Sequence, residues 1–268
     1  MVHHALCQVI EPIWERRLIY DCYANRVGKG THAALDRCQA YSRRYKYFLQ
    51  CDIKQFFPSI DHALLREELA RLIRDDGMLW LCDQILASGV GVLSEEYQMV
   101  YFPGDDLFAV NRERGLPIGN LTSQFWANVY LNGFDHFVKR ELKCDAFLRY
   151  VDDFLLFADD RAQLLQWRTA IIQKLAGLRL TLHENQAQVY PVATGIPFLG
   201  FRVFPTHRRV KRRKVVHFRR KLRQMYLAYA NQTLPFDRLD ASVQGWINHV
   251  RYGDTWGLRR AMLQNILL

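Results

Sequence analysis

Three aspartates are the residues best placed to do chemistry. Asp52 closes the apolar run Tyr47-Phe-Leu-Gln-Cys-Asp-Ile53, and Asp152-Asp153 lies between apolar runs at 146–151 and 154–158. The first run reads as a strand ending in an acid. The other two read as a β-hairpin with both acids in its turn. A strand end and a hairpin turn can lie side by side in one antiparallel sheet, where three carboxylates would face one spot. Left alone, they raise one another's pKa. Hard divalent cations remove that cost, and Mg2+ prefers oxygen donors. Two such ions about 4 Å apart activate an attacking 3′-hydroxyl and stabilise a leaving pyrophosphate. The chemistry is then nucleotidyl transfer, with positioning and charge neutralisation as the protein's share. Taken singly, paired Asp in a turn is ordinary turn chemistry, so the reading rests on the companion motifs.

The elements that must hold these acids are legible in outline. Apolar spacing over residues 3–22 (Leu6, Val9, Ile10, Ile13, Trp14) predicts a helix. A basic, Gly-bearing loop at 23–31 leads to a helix from Thr31 to about residue 43. Asp61 is placed to cap a helix over 62–73, and another helix is expected over 78–88. Residues 100–117 read as loop. One long helix is expected over 122–142 and another over 160–176. Short strands follow near 188–191 and 198–204. Residues 208–214 form a basic run, and the tail from 215 to 265 reads as helical, broken at Thr233-Leu-Pro235. Mixed α and β followed by all helix predicts an α+β domain over 1–205 and a small helical domain over 206–268.

The chain has 268 residues and a formal net charge of +10. That surplus points to a polyanionic partner, nucleic acid first. Six cysteines without a CxxC pair speak against a zinc knuckle. The start has no signal-peptide pattern, and no stretch approaches the roughly 20 apolar residues of a membrane span. A cytoplasmic protein without a membrane partner is expected.

Tyr150-Val-Asp-Asp153 resembles the YxDD turn of reverse transcriptases. Cys51-Asp-Ile-Lys-Gln-Phe-Phe-Pro-Ser-Ile-Asp-His62 resembles their first catalytic motif. Arg114-Gly-Leu-Pro-Ile-Gly-Asn-Leu-Thr-Ser-Gln-Phe-Trp-Ala-Asn128 resembles their middle motif, and Phe198-Leu-Gly-Phe201 their primer-gripping hairpin. Ile10-Glu-Pro-Ile13 with Tyr23-Ala-Asn-Arg-Val-Gly-Lys-Gly-Thr-His32 resembles the fingers segment of group II intron-like enzymes. The matches keep the family's order over about residues 2–260. Where group II intron enzymes usually carry QGxxxSP, this chain has Ile118-Gly-Asn-Leu-Thr-Ser-Gln124. That variant is similar to reverse transcriptases of diversity-generating retroelements.

The resemblance implies a right-hand polymerase with partial fingers, an antiparallel-sheet palm and a helical thumb. It implies error-prone copying of template RNA into cDNA from a primer and dNTPs, in a bacterial, archaeal or phage-encoded system. A small basic accessory protein is an implied partner. Asp52, Asp152 and Asp153 become the catalytic acids and, with the Ile53 carbonyl, the ligands of two Mg2+ ions, with Mn2+ as a substitute. Phe57 matches the steric gate against a ribose 2′-hydroxyl, with a core aromatic as the other reading. Phe56 reads as core. Gly119 and Gln124 would meet the nucleotide and Ser123 the template, or else this stretch simply caps a helix. Arg26 and Lys29 would touch template phosphates, or belong to a solvated loop. Leu199 and Gly200 would sit at the primer end. Arg208, Arg209, Lys211 and Arg212 would hold duplex backbone, or form a charged surface loop. Trp246 and Trp256 read as thumb core, and His3, His4, His62 and His183 as structural.

Two departures from the family are visible. The motifs begin after the first fingers strands, whose basic residues clamp the triphosphate, so activity of this chain alone is in question. Gln186 stands where relatives often have Lys, a candidate proton donor to pyrophosphate, and Gln cannot do that job. The competing readings are a group II intron-like enzyme that assists splicing and a non-catalytic RNA-binding scaffold.

Overall fold

The computed structural model describes residues 1–264. They divide into two compact units, Met1–Arg37 with Tyr45–Tyr190, and Cys38–Arg44 with the segment from Pro191 on. In the first unit, Val2–Glu15 (α1) buries Leu6, Cys7, Ile10 and Trp14 at helical spacing. It stops at Glu15, not near residue 22. Beyond it the N–H groups of Arg17 and Leu18 both turn back onto the Trp14 carbonyl. Thr31–Arg44 (α2), whose residues from Cys38 on belong to the second unit, and Tyr47–Lys54 (β1) follow, then the short turn of helix Phe56–Ser59 (α3). His62–Leu72 (α4) starts where Asp61 accepts a bond from the Leu64 N–H, and Asp76–Ser88 (α5) where Asp75 accepts from Met78.

The long helix expected over 122–142 is three pieces. They are Leu121–Tyr130 (α6), Asn132–His136 (α7) and a π-type turn, Phe137–Glu141. The break falls at Leu131, whose φ/ψ of −90° and 1° leave helical values. Phe147–Tyr150 (β2) and Asp153–Ala158 (β3) form the hairpin. Asp152 lies in its turn, but Asp153 is the first residue of β3, a correction to the sequence reading. Arg161–Gly177 (α8), capped by Asp160, precedes Thr181–Leu182 (β4) and Val189–Pro191 (β5). The antiparallel order is β2-β3-β1-β4, with β5 also pairing β1. Rings of Phe134, Phe147 and Phe154, 5.3 to 6.2 Å apart edge to face, lock α7 to the hairpin. α1 and α4 pack on α6, and α8 packs on β1, β3 and β4.

In the second unit, Ile196–Phe198 (β6), Phe201–Val203 (β7) and Arg208–Val210 (β8) form a three-stranded antiparallel sheet. Arg212–Ala230 (α9), Phe236–Val250 (α10) and Trp256–Gln264 (α11) follow. The basic run is therefore no loop: its start pairs in a sheet and its end opens a helix. Phe218, Leu222, Leu239, Trp246, Val250 and Met262 make the helical core, with Phe218 stacked on Trp246 at 4.5 Å. Trp256, expected in that core, is 65% exposed at the head of α11, with the Arg260 guanidinium over its ring. The end of the expected helical domain, residues 265–268, lies outside the described residues. Among the described residues no helix is long and apolar enough to cross a membrane.

Candidate active site

β1 and β3 pair Asp52 directly opposite Asp153. Opposed residues of an antiparallel pair leave the same face. Gln50, two residues back on that face, donates its Nε2 to Asp153 Oδ1 at 3.4 Å. The hairpin loop has only two residues, Val151 and Asp152, because Tyr150 pairs with Asp153. The Ile53 N–H donates to the Asp152 carbonyl at 3.3 Å, which stitches the loop to β1 beside Asp52. The three acids thus share one corner of the sheet.

Their electrostatics fit a cation-binding corner. Burial raises the Asp52 carboxyl, the Asp152 charge raises it further, and His183 opposes the rise. Burial also raises Asp152, against its own and the Asp153 N–H groups, Arg149 and His183. Two half-buried carboxylates that repel are relieved by a divalent cation between them. Among the described residues, no three His, Cys, Asp or Glu side chains converge as a ready metal cage. Mg2+ commonly takes one or two carboxylates and completes its shell with water and substrate phosphate. Ile53 is buried and lies opposite Leu182 of β4.

The loop is held from behind. Val151 adopts φ of 59°, an outlier for a β-branched residue. The Arg149 guanidinium, wholly buried, donates to the Val151 carbonyl at 2.9 Å and grips Asp135 with two bonds of 2.7 Å. On the outer side, the His183 N–H donates to the Asp52 carbonyl at 2.9 Å, and its Nε2 lies 3.7 Å from Asp52 Oδ2. His183, read from sequence as structural, is a neighbour of the acids. It escaped notice because β4, which carries it there, is two residues long. Arg149 escaped notice because it sits inside an apolar strand. His62 does pack as a structural residue, its Nε2 2.7 Å from the Gly115 carbonyl, and His3 Nδ1 bonds the Thr122 hydroxyl at 2.8 Å.

The other predicted residues are placed as follows. Phe57 is half-buried on α3, against the core, while Phe56 is 2% exposed. Gly119 is exposed at φ of 104°, a conformation that favours glycine, just before α6. Ser123 is buried, and the N-cap of α6 is Asn120, without a side-chain cap bond. Gln124 lines a cavity of about 660 Å3 with Gln8, Glu11 and Asn25. Arg26 and Lys29 do not project as free cations. The Arg26 guanidinium is taken by Glu15 and the carbonyls of Ile19 and Cys22, and Lys29 Nζ by the Tyr20 carbonyl and ring. In the second unit, Leu199 and Gly200 form the two-residue loop between β6 and β7, both at positive φ, as a type I′ turn requires. Arg208 is buried on β8, whereas Arg209, Lys211 and Arg212 are exposed. Gln186 is exposed after β4.

The family model described as reverse transcriptase (RNA-dependent DNA polymerase) matches residues 1–203. Protein YkfC of Escherichia coli K12 is 24% identical over an alignment covering 81% of this chain and 63% of that protein. An uncharacterized 91 kDa protein in a cob intron of Schizosaccharomyces pombe is 28% identical over 52% of this chain and 16% of that protein. This chain therefore spans less than two thirds of the curated relatives it matches. Among solved structures, apo telomerase from Candida tropicalis shares the fold with a TM-score of 0.58 at 13% identity, covering 84% of this chain and 44% of that one. Telomerase of the same organism with a fragment of telomeric RNA gives 0.55 at 14% identity, over 85% and 41%.

Proposed function

We propose, from the premise that this chain belongs to the reverse transcriptase family, that it is an RNA-directed DNA polymerase working through Asp52, Asp152 and Asp153. The observation that carries this is the pairing of Asp52 opposite Asp153, with Asp152 in the two-residue turn beside them. Asp52 and Asp152 would hold Mg2+, with Asp153 and the Ile53 carbonyl next to them and Mn2+ able to substitute. When bound, two such ions activate the primer 3′-hydroxyl and neutralise charge on the leaving pyrophosphate.

The remaining residues bind and orient. Phe57 stands three positions after the β1 end, where a ring can exclude a ribose 2′-hydroxyl. Gly119 lets backbone approach the incoming dNTP, and Gln124 offers an amide to it. Ser123 supports the template-facing end of α6. Arg26 and Lys29 act on template RNA only through the loop they brace. The turn at Leu199-Gly200 meets the primer end. Arg209, Lys211 and Arg212 take backbone phosphates by charge, with Arg208 anchoring their strand.

The sequence Ile118-Gly-Asn-Leu-Thr-Ser-Gln124 supports the finer reading of error-prone copying in a diversity-generating retroelement. A group II intron-like role is the second reading, favoured by the relative in a cob intron. Primer extension on an RNA template, with four dNTPs and Mg2+ and the products sequenced, tests both. Extension lost in Asp152→Asn supports the polymerase, and errors clustered opposite template adenine support the diversity-generating role. Accurate copying with splicing assistance favours the intron-like role. RNA binding without extension leaves a binding scaffold.

A further inference from the structure

The carboxylate turn holds a conformation that its own sequence disfavours. Val151 is β-branched, yet its φ is 59°. Left-handed backbone puts a Cβ against the neighbouring carbonyl, and Gly or Asn is the usual occupant of such a turn position. Something outside the loop must hold it, and one side chain reaches it from behind.

That side chain is Arg149, whose guanidinium has five donors, and all five sites are engaged. Nε and Nη2 each bond a different oxygen of Asp135 at 2.7 Å. Nη2 also meets Cys22 Sγ at 3.3 Å. Nη1 reaches Asn128 Oδ1 at 3.2 Å and the Val151 carbonyl at 2.9 Å. The partners are themselves tied: Cys22 Sγ donates to Asn128 Oδ1, and Asn128 Nδ2 donates to the Ala24 carbonyl. The Arg149 backbone is fixed as well, its N–H on the Asp21 carbonyl and its carbonyl on the Tyr23 N–H. Arg149 and Asp135 are both fully buried. An apolar pair of similar volume is often as stable as a buried ion pair. Stability alone therefore does not account for a charge pair behind the turn. A planar fork held on four sides does supply one thing an apolar side chain cannot, a fixed donor for the Val151 carbonyl.

We propose that Arg149 is a positioning residue: its fork, set by Asp135 and Asn128, clamps the Val151 carbonyl and so fixes where the Asp152 carboxylate stands. The inference rests on the polymerase reading for its kinetic consequence, but its metal-binding consequence can be read without turnover.

The test uses the full chain with an RNA template, a primer, Mg2+ for turnover and Mn2+ for binding. Arg149→Lys keeps the charge and loses the fork. The charge-balanced Asp135→Leu/Arg149→Met removes the network while leaving no orphaned charge. Each is measured for melting temperature, for kcat and dNTP KM, and for the Mn2+ concentration that half-saturates the thermal shift. Positioning predicts folded variants whose kcat falls on the order of 100-fold, with dNTP KM little changed and Mn2+ half-saturation raised. It also predicts rescue. In a Val151→Gly background the turn needs no clamp, so the loss caused by Arg149→Lys shrinks by roughly tenfold, a coupling expected only of groups that act together.

Wild-type kcat and Mn2+ half-saturation in the folded charge-balanced variant would overturn the proposal. An Arg149→Lys loss of equal size in both Val151 backgrounds would do the same. Failure of both Arg149 variants to fold would also overturn it, because the residue would then serve the fold and not the turn. If the wild-type chain extends no primer, the polymerase reading falls, and the Mn2+ comparison alone decides the positioning claim.

Discussion

At the scale of single residues, the acids are the part of this protein whose chemistry can be argued most closely. Asp52 and Asp152 are raised by burial, and Asp152 raises Asp52 again, a state that a bound cation relieves. Asp61 is an acid of the opposite kind, spent on structure. It is 1% exposed, caps α4 through the Leu64 N–H at 3.0 Å, ion-pairs with Arg179, and lies 3.9 Å from Arg112. Asp61→Ala removes a cap worth about 0.5–2 kcal/mol and strips Arg179 of its carboxylate partner, while Arg112 keeps Asp105. A destabilisation of about 2–3 kcal/mol is expected in urea melts. A loss under about 0.5 kcal/mol would show that solvent replaces this acid easily. Asp61 was legible from sequence as a helix cap, because capping is local. The Arg149 network was not, since its partners lie 14, 21 and 127 residues away.

At the scale of elements, legibility followed the reach of the signal. β1, α4, α5 and α8 were legible in outline, and Asp61 marked the start of α4. The break at Leu131 did not, because the apolar pattern continues through it and no proline marks it. β4 has two residues and exists only through its pairing with Ile53 and Lys54. The tail helices were legible, and Trp246 was rightly placed in a core, but Trp256 has the same residue type with the opposite environment. Composition alone cannot separate them. Trp246 stacks face to face on Phe218, so Trp246→Ala should cost about 3–5 kcal/mol. Trp256→Ala should change stability by less than about 0.5 kcal/mol. Denaturant melts of the two variants compare them directly, and equal costs would mean that the stacking contributes little.

At the scale of the whole molecule, the net charge of +10 is the broadest signal, and α9 concentrates it. Arg212, Arg213, Lys214, Arg219, Arg220, Lys221 and Arg223 are all exposed. If these meet nucleic-acid phosphates, binding weakens steeply with salt. The log–log slope then falls by about 0.7–0.9 for each contact removed. Arg212→Ala/Arg213→Ala/Lys214→Ala should therefore flatten the slope by about 2, read by titrating a labelled template–primer at several salt concentrations. An unchanged slope would take these three residues off the phosphate path. Charge announces a polyanionic partner without naming it. On the proposed function, the acids and their pairing would narrow that partner to a template and a growing primer.

The most direct test of that narrowing is single-turnover incorporation of one dNTP on an RNA template–primer with Mg2+, comparing the wild-type chain with Asp52→Asn and Asp152→Asn at matched binding. Incorporation by the wild type and a loss of at least about 1,000-fold in each variant are predicted, since on the proposed function each substitution would remove a ligand of the ions that neutralise the charge of the reaction. Incorporation that survives either substitution, in variants shown to bind template–primer and to fold, would contradict the assignment of the active site to these acids.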